Sequence, residues 1–178
     1  MNTPLPSETL RRYPPFDRFE PEALRFLDSQ LKSITFPVNS VLISPDQGEP
    51  RAMFVITQGR VQASEAGAAG EIRLTLSVGE CFPIGALSGC RASTNTYTAA
   101  TEVEAYELPA ASFHKLMVIS QEFSRHCGGY LATLVNQSRQ QLQAYLSQQA
   151  SEQQSLSTPL LALIKRSPIS VAATANIQ

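Results

Sequence analysis

At 178 residues, 43% of them hydrophobic, the chain is long enough for one well-buried domain plus an appendage. Basic residues number 14 against 15 acidic ones, a net charge of −1, and only Lys32, Lys115 and Lys165 are lysines. That balance excludes the basic surface a nucleic-acid binder needs, no run is long enough to span a membrane, and MNTPLPSETLRRYPP lacks a leader pattern, so the expected location is cytoplasmic.

FEPEALRFLDSQL (Phe19 to Leu31) predicts a short helix: Pro21 suits the first helical position, and Leu24, Leu27 and Leu31 form one apolar stripe. From Lys32 to Pro109 the pattern is that of strands. KSITF and SVLIS are separated by the turn residues Pro37, Asn39 and Ser40, and PDQGEP is a loop. MFVITQ and RVQASEA flank Gly59, which suits a tight turn with a positive backbone angle. After AGAAG, EIRLTLSV alternates strictly, placing Ile72, Leu74, Leu76 and Val78 on one face. GECFPIGALSGCRAST follows, then TNTYTAA and VEAYELP. About eight short strands at close intervals predict a mainly β fold with flanking helices, an eight-stranded β-roll that forms a closed or rolled, jelly-roll-like barrel between an N-terminal helix and a long C-terminal one.

Beyond Pro109 the period is helical again. ASFHKLMVIS is a short helix, and Gln121 to Ser147 a long one with Phe123, Cys127, Tyr130, Leu131, Leu134, Leu142 and Tyr145 near one side. Gly128 and Gly129 cost that helix about 1 kcal/mol each against alanine, which predicts a close contact or a bend. QQASEQQSLS (Gln148 to Ser157) reads as a linker or a frayed helix end, STPLLALIKRSP as a last short helix, and SPISVAATANIQ as the start of a strand. Cys81, Cys90 and Cys127 are widely spaced and read as reduced thiols, and with His114 and His126 they supply no metal-ligand spacing. Neither histidine has a nucleophile and an acid at motif spacing, and there is no GxxxxGK[ST], so the chain reads as non-catalytic.

Helix, eight-strand roll, short helix and long helix is an order that resembles the cyclic-nucleotide-binding domains of catabolite-activator-type regulators and protein kinase A regulatory subunits. FEPEALRFLDSQLKSITFPVNSVLISPDQGEPRAMFVITQGRVQ resembles the family's leading helix and first strands, and LTLSVGECFPIGALSG its approach to the phosphate-binding cassette. FPIGALSG, YELPAASFHKL and STPLLALIKRSPISVAATANIQ further resemble bacterial signalling proteins in which this domain precedes CBS modules and a nucleotidyltransferase region. The resemblance implies a cyclic-nucleotide-binding-like domain with its hinge helix over 1–147. It also implies a linker, short helix and opening of a CBS-like module over 148–178.

A cyclic nucleotide needs backbone N–H groups and a guanidinium for its phosphate, and a carboxylate acceptor for its ribose hydroxyl. In the family a Gly-Glu pair supplies the acceptor, and an Arg followed by Ser or Thr, nine residues after the Glu, supplies the clamp. Two registers compete. One uses Glu80 and Arg91, which are eleven positions apart and need a two-residue insertion. The ungapped register, which is favoured because both flanking strands align, places Pro83-Ile84 at the Gly-Glu position and Ser93 at the Arg position. Loss of two charged partners at roughly 1.5–3 kcal/mol per bond then weakens cyclic nucleotide binding about a hundredfold or more.

The resulting expectation is a regulatory domain with a degenerate cassette at Ile84, Gly85, Ala86, Leu87, Arg91, Ser93 and Thr94. Amides of Gly85 to Leu87, hydroxyls of Ser93 and Thr94, and Arg91 remain for a cyclic nucleotide or another nucleotide or anion. Against this stands a ligand-free dimerisation module in which Ile84 and Leu87 seal the pocket. The third alternative is a genuine cyclic AMP or GMP sensor using Glu80 and Arg91. The expected partners are a nucleotide-like ligand, downstream domains of the same polypeptide, and a second copy paired through the long helix, with no nucleic acid and no membrane.

Overall fold

The computed structural model describes residues 5–67 and 70–164. They fall into two units, Met1–Thr133 and Leu134–Gln178. In the first, helix α1 (Pro6–Leu10) is tied to α2 (Pro21–Gln30) because Ser7 donates both its backbone N–H (2.8 Å) and its hydroxyl (2.7 Å) to the Asp28 carboxylate. Pro21 opens α2, where it costs no hydrogen bond, and Ala23, Leu24 and Leu27 are buried on the predicted stripe.

The strands are β1 (Lys32–Phe36), β2 (Val41–Ile43), β3 (Ala52–Gln58), β4 (Val61–Gly67), β5 (Gly70–Leu76), β6 (Cys81–Phe82), β7 (Thr96–Ala99) and β8 (Val103–Pro109). They do not close into the expected barrel. They form two separate four-stranded antiparallel sheets, ordered β1-β8-β3-β6 and β2-β7-β4-β5, each with two edges. Closure requires edge strands that bond on both sides. β6 has only two residues and stops at Pro83, which has no N–H, and β2 has three residues and an irregular register.

Two apolar cores result. Between the sheets lie Ile43, Phe54, Ile56, Val61, Phe82, Tyr97 and Val103, with an aromatic series Phe36–Phe54–Phe82–Tyr97 whose last pair stacks at 4.8 Å. On the other face of the β1-β8-β3-β6 sheet, Met53, Val55 and Leu108 pack against α2, α4 (Ala110–Ile119) and the start of α5, including Phe113, Leu116, Phe123 and Cys127. Gly59 adopts φ 86°, and a Cβ there would collide with the Glu102 carbonyl oxygen, as its turn requires. Of the alternating set on β5, only Leu76 is buried, while Ile72 and Leu74 are exposed. β5 is a sheet edge, and the β4–β5 hairpin outruns β7, whose pairing with β4 ends at Ser64↔Thr96.

Helix α5 runs over Gln121–Ile164, so the segment 148–157 read as a linker is helical. Its polar residues are Gln, Ser and Glu without glycine, and they suit a solvated helix as well as a linker. A Cβ at Gly128 or Gly129 would meet open space, so neither marks a close contact. The strand expected after Ser167 lies outside the described residues.

Candidate functional site

The stretch from Ser77 to Asn95 joins β5, β6 and β7 and contains every predicted site residue. Its first turn is held across the sheet: Gly79 N–H donates to Ile56 O (2.8 Å), and Ile56 N–H to Glu80 O (3.1 Å). Gly79 has φ 90°, and a Cβ there would lie 2.6 Å from the Tyr13 ring. The Glu80 carboxylate accepts the Ser77 N–H at 2.6 Å, so this exposed acid closes its own turn.

After β6 comes α3 (Ile84–Ser88), a single turn and a half. Ile84 and Leu87 are fully buried, and both point into the helix-side core rather than into the space between the sheets. They anchor the cassette; they do not plug it. Ala86 is buried as well, and Gly85 is half-buried. The helix ends in local bonds, Gly89 N–H to Gly85 O, Cys90 N–H to Leu87 O and Arg91 N–H to Ala86 O. Cys90 takes φ 46° to make that exit. The Ser88 hydroxyl is buried without a partner among the described residues.

The polar candidates behave differently from one another. Ser93 is buried, and its hydroxyl donates to Asn95 O (2.8 Å) while accepting the Asn95 N–H (3.1 Å), so its capacity is used within its own turn. Arg91 is exposed and donates to Ala92 O at 3.3 Å, and Thr94 is exposed. Beneath them the Tyr97 phenol is pushed well above its ordinary range, first by burial and then by Tyr130 and Glu65, with Arg91 opposing. Burial also raises the Tyr130 phenol, with Glu80 adding to the shift. Tyr97 is buried in the inter-sheet core, whereas Tyr130 packs against the helix-side core that holds Ile84 and Leu87.

Two surface cavities lie elsewhere, and neither is lined by residues 84–94. One of about 380 Å³ is bounded by Leu42, Ile43, Gln47, Arg51, Phe54 and Glu107, and one of about 270 Å³ lies around Arg18, Glu122, Arg125 and His126. Among the described residues no group of His, Cys, Asp or Glu could hold a metal, and no helix is long and apolar enough to cross a membrane. The first cavity was missed in the sequence. Its signal is the alternation in VEAYELP, where Val103 and Ala105 face the inter-sheet core and Glu107 takes the next position on that face.

Residues 34–120 match the family described as cyclic nucleotide-binding domain. That segment is a cyclic nucleotide-binding domain. No curated protein sequence matches the chain. Among solved structures, the domain resembles the sensor domain of the transcriptional regulator DNR from Pseudomonas aeruginosa. There the TM-score is 0.61 at 12% identity, over 74% of this chain and 94% of that one. It also resembles the Thermus thermophilus catabolite activator protein (TM-score 0.61, 18% identity, 75% and 61% of the two chains). A third is the regulatory subunit of a cAMP-independent protein kinase A from Trypanosoma cruzi bound to guanosine (0.62, 14%, 74% and 48%). The chain therefore spans less than two thirds of the last two proteins, and at these identities the likeness is one of fold.

Proposed function

We propose that the chain is a non-catalytic regulatory domain of a bacterial signalling protein, built on the cyclic nucleotide-binding fold with an altered phosphate cassette. The observation that carries this reading is the state of the two positions assigned by the ungapped register. Ile84 is locked in the helix-side core, and the Ser93 hydroxyl is saturated by Asn95, so neither offers a charge to a ribose or a phosphate. Glu80, the alternative acceptor, spends its carboxylate on Ser77. What remains for a small anion or nucleotide is Arg91 and Thr94 with the amides of Gly85, Ala86 and Leu87. The Trypanosoma cruzi subunit, bound to guanosine, supports a cassette on this fold with a ligand other than cyclic AMP.

In this reading 1–147 is the sensing domain in the cytoplasm, and 148–178 leads to a CBS module and nucleotidyltransferase region of the same polypeptide. The exposed Val135, Leu142, Tyr145 and Leu146 of α5 give a second copy an apolar stripe to pair with. That stripe also favours the second reading, a dimerisation module without ligand.

Calorimetric titration with cyclic AMP, cyclic GMP, cyclic dinucleotides and ATP tests the proposal. Cyclic mononucleotides are expected not to bind at micromolar concentration. Micromolar binding of cyclic AMP that Arg91→Ala abolishes would restore the register that uses Glu80 and Arg91. Silence from every nucleotide, with a concentration-dependent dimer, would leave the dimerisation module.

A further inference from the structure

The inward position of Glu107 breaks the apolar pattern of β8. Val103, Ala105 and Glu107 share one face, and the first two are fully buried in the inter-sheet core. β8 is an internal strand, so Glu107 is fixed by neighbours on both sides, Lys32 on β1 and Phe54 on β3. A half-buried carboxylate normally collects a cation or several donors. Here no cationic side chain among the described residues comes within ion-pair distance, Lys32 included, and no hydrogen bond reaches it.

The carboxylate instead lines the cavity of about 380 Å³ at the open end between the sheets, over a floor of Leu42, Ile43 and Phe54. That volume lies in the range of small-molecule sites, and the lining sets polar Gln47, Glu49 and Arg51 beside Glu107, two carboxylates against one guanidinium. The wall opposite is stiff. Ser44 and Gln47 close a reciprocal capping box around the Pro45–Gln47 turn, the Ser44 N–H donating to Gln47 Oε1 at 3.1 Å, and Gly48 leaves it at φ 75°. The groove is formed before any ligand arrives, which lowers the cost of binding.

We propose that this groove binds a small ammonium compound with an apolar body, its cation on Glu107 and its body against Leu42 and Phe54. The site lies outside the cassette and does not depend on which ligand the cassette takes. The test is NMR titration of the full chain with 2-phenylethylammonium, following the amides of Gly48, Arg51 and Glu107, with phenylalanine and 3-phenylpropionate as zwitterionic and anionic comparators. Saturable shifts at those amides are expected with both ammonium compounds and not with the anion. Glu107→Gln, which preserves volume, is expected to weaken binding at least tenfold, and Leu42→Lys, which supplies an ammonium in cis, to abolish it. Three outcomes would overturn the proposal: no saturable shift up to about 10 mM, equal binding by Glu107→Gln, or equal binding of 3-phenylpropionate.

Discussion

The cassette and the groove beside the Pro45–Gln47 turn sit on the same two sheets and spend their polar groups in opposite ways. In the cassette, Ser93, Glu80 and the end of α3 satisfy themselves through bonds two to five residues long, and the apolar side chains are core anchors. In the groove, Glu107 is held inward by long-range strand pairing, and its carboxylate has no partner among the described residues. A polar group bonded to its own turn contributes to stability and has little left for a ligand. An unpaired inward group costs stability and keeps its capacity free. Family shape marks the first place; unspent chemistry marks the second.

The largest expected effect tests the anchoring of the cassette. Ile84→Glu puts back the acidic type that the ungapped register lacks, but inside the helix-side core, where an unpaired carboxylate costs about 3–5 kcal/mol. Denaturant unfolding should show that loss, with no gain of cyclic AMP binding. A loss below about 1 kcal/mol would mean that position 84 reaches the space between the sheets, and the contrast would fail.

The thiols under the cassette probe the same core through pH. Burial pushes the Cys127 thiol up to about 12 and the Cys81 thiol higher still, from an ordinary 9.0. A thiol whose folded pKa is raised stabilises the fold fully below the unfolded value and loses that contribution as pH climbs toward the folded one. Stability should therefore hold to about pH 9 and fall beyond it, by about 1 kcal/mol per thiol at pH 10. In native protein a thiol reagent should modify exposed Cys90 and spare the other two. Fast modification of all three would show that the core beneath α3 opens readily.

Ser93→Ala tests the self-closed turn. The hydroxyl makes two bonds to Asn95, and its loss should cost about 1 kcal/mol in thermal unfolding without changing any ligand affinity. Loss of ligand affinity with unchanged stability would return Ser93 to the binding positions.

Much of the architecture was legible because alternation and turn chemistry are local. The strict alternation of EIRLTLSV, the turn at Gly59 and Pro21 at a helix start each declare themselves within a few residues. Barrel closure was not legible, because it depends on what the two-residue β6 and the three-residue β2 can bond to across space. The direction of Ile84 was hidden for the same reason: a helix of five residues sets no periodicity from which its buried face can be read. Glu107 was half legible. Its place in the alternation of VEAYELP is visible, but which face is inward follows only from its pairing with Phe54. The continuity of α5 through 148–157 was masked because glutamine and serine are at home both in linkers and on solvated helices.

The smallest expected effect separates the two regions most sharply. Glu107→Leu extends the apolar series begun by Val103 and Ala105 along the inner face of β8 without touching the ladder. Because the carboxylate has no partner to strand, its removal forfeits no bond, and the new side chain gains area against Phe54 and Leu42. Thermal unfolding should show the variant as stable as the parent or more stable by up to about 1 kcal/mol, in contrast to the cassette substitutions, which all lose stability. A protein keeps a charge that destabilises its fold when the charge serves something other than folding. Equal or higher stability together with loss of ammonium binding is therefore the signature of a site, whereas a loss above about 1 kcal/mol would make Glu107 a structural residue whose partner is Lys32 in solution.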